Sequence, residues 1–196
     1  MFGDIPQPVL NRMAFLEAVD GRDRFDGTPK MQRLRQIPAE SGRFLAFLAA
    51  SAPAGNWIEV GASGGYSGLW LSLACRLRNQ KLMTFEVLPE KVRLANETFQ
   101  AAEVSDLIEL VHSDARLLLA SYHPVGFCFL DAEKDIYLEC YEQVIPNMAV
   151  GGFLVADNVI NHQEELKIFI DRVFNDRRVD ALIAPIGKGL LVCRKV

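Results

Sequence analysis

The sequence predicts an α/β fold: a doubly wound, mostly parallel sheet of seven strands, the last one antiparallel, with helices on both faces. Three observations carry this expectation. Seven short runs are almost continuously apolar, as strands covered on both faces are. Amphipathic segments of helical period separate the first six, so consecutive strands are joined by crossovers. The last two are joined only by Gly187-Lys-Gly189, too short for a crossover, so that junction is a hairpin and the final strand is reversed.

An apolar helix is expected from Val9 to Val19. Asp20 to Gln36 is polar and irregular, with Gly21, Gly27 and Pro29, and it marks residues 1–36 as a helical and irregular extension before a domain of residues 37–196. A second helix is expected from Ala39 to Ala50. The strands are expected at Trp57–Val60, Leu82–Val87, Leu107–His112, Phe127–Leu130, Phe153–Ala156, Ala181–Ile186 and Leu190–Cys193. Glu90 to Ala101 follows Pro89, a favoured helix start. Lys134 to Val144 and Glu164 to Phe174 carry apolar residues three and four apart.

At 196 residues the chain has the size of one domain. Its net charge of −4 argues against a strongly basic nucleic-acid binder, though a local basic face is allowed. No uncharged run reaches the roughly 18 apolar residues of a membrane span. Asp4, Pro6 and Pro8 stand where a signal peptide has a basic stub and apolar core. Cys75, Cys128, Cys140 and Cys193 lie far apart with no CxxC pair, which points to reduced structural thiols and a cytoplasmic protein.

The first chemical signal is Trp57-Ile-Glu-Val-Gly-Ala-Ser-Gly-Gly-Tyr-Ser67, a strand running through a glycine turn into a helix. Gly61, Gly64 and Gly65 let backbone approach a ligand, and the helix start offers partial positive charge. Glu86 ends the second strand, where a carboxylate can accept both hydroxyls of a ribose, so the pattern is Rossmann-like and reads as a nucleoside site. The spacing is not GxGxxG, and no tyrosine is followed four residues later by lysine, which argues against hydride transfer. The second signal is Asp131 after Phe127-Cys-Phe-Leu130, and Asp157-Asn158 after Phe153-Leu-Val-Ala156. Oxygen ligands at two strand ends suit Mg²⁺, Mn²⁺ or Ca²⁺ rather than Zn²⁺. The same residue types also cap helices and end strands, and spacing alone favours that plainer role.

Taken together, these residues resemble the class I S-adenosylmethionine-dependent O-methyltransferases, in particular the metal-dependent group of catechol and caffeoyl-CoA O-methyltransferases. The likeness runs from Ile37 to Val196. It rests on Glu59-Val-Gly-Ala-Ser-Gly-Gly-Tyr-Ser67, Phe85-Glu-Val-Leu-Pro-Glu-Lys91, Ser113-Asp-Ala115 and Leu130-Asp-Ala-Glu-Lys-Asp-Ile-Tyr137. Gly151-Gly-Phe-Leu-Val-Ala-Asp-Asn-Val159 and Pro185-Ile-Gly-Lys-Gly-Leu190 complete it. The resemblance implies that Glu59, Gly61, Ala62, Gly65 and Ser67 surround the methionine and ribose of the cofactor. Glu86 would bind the ribose hydroxyls, and Asp114 and Ala115 would lie at the adenine. Glu133 stands at a cofactor-contacting position. Ile37 replaces a threonine common there, which removes a side-chain hydrogen bond. Asp131, Asp157 and Asn158 match the metal ligands, with Asp131 also beside the cofactor. Lys134 matches the proposed general base, while Tyr137 and His162 join it on the acceptor side.

The reaction implied by the resemblance is O-methylation of a small vicinal-diol aromatic, assisted by a divalent cation, Mg²⁺ foremost. The resemblance also implies a homodimer. The short link at Ile160 to Gln163 implies an open pocket, or a lid supplied by the N-terminal segment or a partner chain, and argues against a bulky acyl-CoA acceptor. The alternative within enzymes is methylation of a tRNA wobble hydroxyuridine. Arg22 to Arg43 carries six basic residues against three acidic ones, a segment better read as solvated than as phosphate-contacting. A non-catalytic S-adenosylmethionine-binding module is the remaining alternative, and the retained ligand set and Lys134 argue against it.

Overall fold

The computed structural model describes residues 2–196. Helix α1 spans Gln7–Asp23 and α2 spans Ala39–Ser51. Strand β1 (Asn56–Val60) is followed by α3 (Tyr66–Arg78), β2 (Leu82–Glu86), α4 (Pro89–Ala101) and β3 (Ile108–His112). Then come β4 (Val125–Leu130), α5 (Tyr137–Val144), β5 (Met148–Ala156), α6 (Lys167–Phe174), β6 (Val179–Ala184) and β7 (Leu190–Lys195). The strands form one sheet in the order β3-β2-β1-β4-β5-β7-β6. All pairs are parallel except those of β7, which runs antiparallel to both β5 and β6. The expected sheet and its reversed last strand are therefore present.

Alternation along the strands sends side chains to two cores. Phe127, Phe129 and Val155 pack with α1 to α4, where Leu16, Leu45, Leu71 and Phe99 are buried. Cys128, Leu130 and Leu154 pack on the other face with Tyr137, Tyr141 and Phe169 of α5 and α6. All four cysteines are buried and free. Among the described residues no helix is long and apolar enough to cross a membrane.

Several boundaries differ from the sequence expectation, each for a local reason. The first helix runs on past Val19 to Asp23 because Asp20 and Asp23 continue its buried stripe of Val9, Met13 and Leu16. One oxygen of each carboxylate accepts a backbone amide from a later loop, so charged residues occupy an inward face. The Lys134–Val144 segment splits into a 3₁₀ turn at Lys134–Ile136 and then α5. The Glu164–Phe174 helix begins only at Lys167, after a turn. Strand β5 starts five residues before Phe153, since Gly151 and Gly152 interrupt its apolar run without ending the strand. β6 starts at Val179, and its Leu182 and Ile183 are exposed on the sheet edge.

β1 lies between β2 and β4, and the chain winds outward in opposite directions from it. Such a switch point opens a crevice beyond the carboxyl ends of the strands. Gly61 sits there at φ 101°, and a Cβ on it would come within 2.1 Å of the Asp131 carbonyl. Only glycine lets the ends of β1 and β4 approach so closely.

Candidate active site

A cavity of about 780 Å³ fills this crevice. Its floor is the turn after β1 and the tips of β2 and β4; its roof comes from residues 20–37, and its far wall from Asn158, Asn161, His162 and Lys188. Most residues singled out in the sequence meet here, although they come from five strand ends and the N-terminal segment.

On one side stands Glu86. Its Oε2 accepts from the Ser63 amide at 2.8 Å, and its Oε1 from the amides of Val87 and Leu88 at 2.8 and 3.0 Å. Three backbone donors hold the carboxylate rigid at the cavity wall. Ala62, Ser67, Ile37 and Ala115 also line the cavity. Asp114 lines it too, but its carboxylate is turned to Arg116, which donates from its backbone and its guanidinium and holds the group below the usual carboxylate range. Glu59 lies wholly buried just before the turn. Thr84 Oγ1 donates to its Oε2 at 2.5 Å, while its Oε1 has no hydrogen-bond partner. Burial pushes its carboxyl up to about 7, against the pull of the Ser67 and Thr84 hydroxyls. Gly65 does not line the cavity. Its φ of 89° and the Phe99 ring 2.8 Å from a would-be Cβ make it a packing residue that starts α3.

On the other side the tips of β4 and β5 lie together, because the Asp157 amide donates to the Leu130 carbonyl at 3.0 Å. Asp131 and Asp157 thus follow neighbouring strands directly. Asp157 is fully buried, and neither carboxylate oxygen has a hydrogen-bond partner. Burial, and then repulsion from Asp131, pushes it up to about 7. Asn158 takes a φ of 71°, a left-handed conformation tolerated best by asparagine among non-glycine residues. Lys134 Nζ donates to the Ala132 carbonyl and the Tyr137 hydroxyl, each at 2.8 Å, and lies 3.5 Å from Asp131 Oδ1. Desolvation lowers its pKa, while Asp131 and Asp157 oppose that shift. Among the described residues no three His, Cys or carboxylate side chains cluster, so the candidate ligand set stays two carboxylates and one amide.

Tyr137, expected on the acceptor side, is buried and does not line the cavity; it sits beneath Lys134 and donates to the Asp157 carbonyl at 3.3 Å. His162 does line the cavity, with Nδ1 2.8 Å from Glu165. Glu133 forms an ion pair with Arg35 across the roof, which lowers its pKa.

The sequence reading does not anticipate the roof beyond allowing for an N-terminal lid. Asp23 accepts from the Leu34 amide at 2.7 Å, and Asp20 from the Gln36 amide at 3.2 Å. Ser63 Oγ donates to the Leu34 carbonyl at 2.9 Å. Arg35, Lys91 and Lys188 also escape the sequence reading, and all three line the cavity. Lys91 ends the family-like run from Phe85, and Lys188 lies in the hairpin turn; nothing in their local pattern marks a lysine as buried or half-buried.

The family model described as O-methyltransferase matches residues 26–196. Caffeoyl-CoA O-methyltransferase 1 of Eucalyptus globulus is 27% identical over 81% of this chain and 74% of its own length. The catechol O-methyltransferase of Mycobacterium tuberculosis is 30% identical over 63% of this chain and 57% of its own. Among solved structures, the SAH-bound Podospora anserina methyltransferase PaMTH1 superposes with a TM-score of 0.79 at 19% identity, over 98% of this chain and 89% of that one. At such identity the structural likeness concerns the fold.

Proposed function

The chain belongs to the O-methyltransferase family, and from that premise we propose that it transfers the methyl group of S-adenosylmethionine to a hydroxyl of a small aromatic vicinal diol, assisted by a divalent cation. Asp157 carries the reading. A buried carboxylate with both oxygens unpartnered beside a second carboxylate is costly unless a cation joins it. The donor set of Asp131, Asp157 and Asn158 fits a hard cation, Mg²⁺ foremost and Mn²⁺ or Ca²⁺ as alternatives. Bound there, a cation would favour the ionised form of an adjacent acceptor hydroxyl.

S-adenosylmethionine supplies a reactive sulfonium methyl, so the chain contributes alignment and proton handling. Glu86, fixed by its three amide donors, would accept the ribose hydroxyls, and Glu59 would lie by the methionine end. The roof over the cavity would exclude water. A phenol titrates near 10, so at neutral pH it must give up a proton before it attacks. Lys134 would take that proton at Nζ, helped by the desolvation that lowers its pKa. Tyr137 acts as a positioning residue, accepting from Lys134 and donating to the Asp157 carbonyl. In the segment considered for RNA, two of the six basic residues are paired, Arg24 with Asp20 and Arg35 with Glu133, which reduces the charge it would offer to phosphates.

The test uses catechol, S-adenosylmethionine and Mg²⁺. Asp157→Ala is expected to abolish Mg²⁺-stimulated methylation while calorimetry finds cofactor affinity within about twofold, because Glu86 and the amides that hold it are left untouched. Full activity of the variant in EDTA would remove the cation from the mechanism.

A further inference from the structure

We propose that Lys188 makes this chain selective for acceptors that carry an anionic group, a carboxylate above all, on the ring that bears the two hydroxyls. The inference rests on the function proposed above and names a narrower substrate class for the same cavity.

The Lys188 backbone is firmly placed. It occupies the middle of the turn between β6 and β7, flanked by Gly187 at φ 59° and Gly189 at φ 92°. A Cβ on Gly187 would meet Ser41 Oγ at 2.4 Å, and one on Gly189 would meet the Ile160 side chain at 2.4 Å, so the turn is packed on both sides. The amides of Ile160 and Asn161 donate to the Lys188 carbonyl at 3.2 and 3.3 Å. The turn is thereby tied to the segment that carries Asn158 and His162, on the acceptor side of the cavity.

The side chain is half-buried and lines the cavity. Its Nζ reaches only two carbonyls, those of Arg35 and Gln36, both at a long 3.4 Å. Among the described residues no carboxylate lies within 4.0 Å of it. Four other cations of the wall have acidic partners: Lys134 pairs with Asp131, Arg35 with Glu133, Arg24 with Asp20 and Arg116 with Asp114. Lys30 and Arg33, on the N-terminal roof, have none within 4.0 Å among the described residues, Lys30 being exposed and Arg33 donating to the Thr28 carbonyl. Lys91, also without an acidic partner within that distance, stands by Glu86 on the opposite side. An ammonium partly removed from water and met by two distant carbonyls is under-compensated. Asp157 acts on it only across a gap, without contact; a neutral diol leaves it so, whereas a carboxylate on the acceptor ring would supply a counter-charge in contact.

Wild type, Lys188→Met and Lys188→Arg are compared with S-adenosylmethionine and Mg²⁺, using catechol and 3,4-dihydroxybenzoate as acceptors. Wild type is expected to prefer the benzoate in kcat/KM by about tenfold or more, the scale of one charge-assisted contact. Lys188→Met should erase that ratio and Lys188→Arg should restore it, whereas a merely structural role would lower both acceptors alike. Calorimetric titration of 3,4-dihydroxybenzoate into protein loaded with S-adenosylhomocysteine and Mg²⁺ should show binding about tenfold weaker in Lys188→Met. Equal wild-type kcat/KM for both diols, or a ratio unmoved by Lys188→Met, would overturn the selectivity and leave the diol reading standing. If wild type methylates neither compound, the diol reading falls and this inference with it.

Discussion

Glu59 shows how much one buried side chain can set. Its carboxyl is enclosed, has one oxygen without a partner, and is pushed up to about 7. In the unfolded chain a glutamate titrates near 4.3. Between these values the native state binds a proton that the unfolded state has released, so stability falls as pH rises from about 4.5 to about 7 and is flat above. The loss is on the order of 3 kcal/mol. Glu59→Gln keeps the shape and removes the titration. Urea unfolding should find the variant more stable than wild type at pH 8 and nearly equal to it at pH 4.5. A wild-type-minus-variant difference that does not change with pH would dismiss this account. The placement of Glu86 and Asp157 at the carboxyl ends of their strands was readable because each sits directly at the end of a recognisable run. The protonation of Glu59 and Asp157 was not readable, because it depends on burial and on neighbours brought together only by the sheet.

Among the elements, the roof from residue 24 to 36 is held most strongly from beneath, and magnitudes say which contact matters. Arg35 and Glu133 form an ion pair with side chains 36% and 49% exposed, a kind of contact worth about 0–1 kcal/mol. Asp23 is buried and accepts the Leu34 amide, so its removal leaves a buried donor unsatisfied at about 1–3 kcal/mol. Asp23→Ala should therefore loosen the roof far more than Arg35→Ala. Hydrogen exchange of the Leu34 amide and protease cleavage between residues 24 and 36 measure this directly; equal protection in the two variants would contradict it. The central strands were legible because both faces are covered and their runs are nearly all apolar. The roof was not, because its anchors lie 11 and 16 residues away in sequence and are aspartates, which composition assigns to solvent.

At the scale of the whole molecule, apolar side chains from residues 2–36 contribute to the main core. Val9, Met13 and Leu16 are buried with residues of α3 and α4, and Leu34 joins them. Leu16→Ala should cost roughly 2–5 kcal/mol of stability, or about 2–4 °C in Tm for each kcal/mol in a chain of this length. A change below about 1 kcal/mol in denaturant titration would mean that α1 folds apart from the rest. The cavity wall has a further property. One part of it comes from residues 34–36 and another from Lys188, and the Lys188 ammonium bridges them. A nascent chain still waiting for its last hairpin on the ribosome lacks that second part, so its cavity stands open on the side away from Glu86.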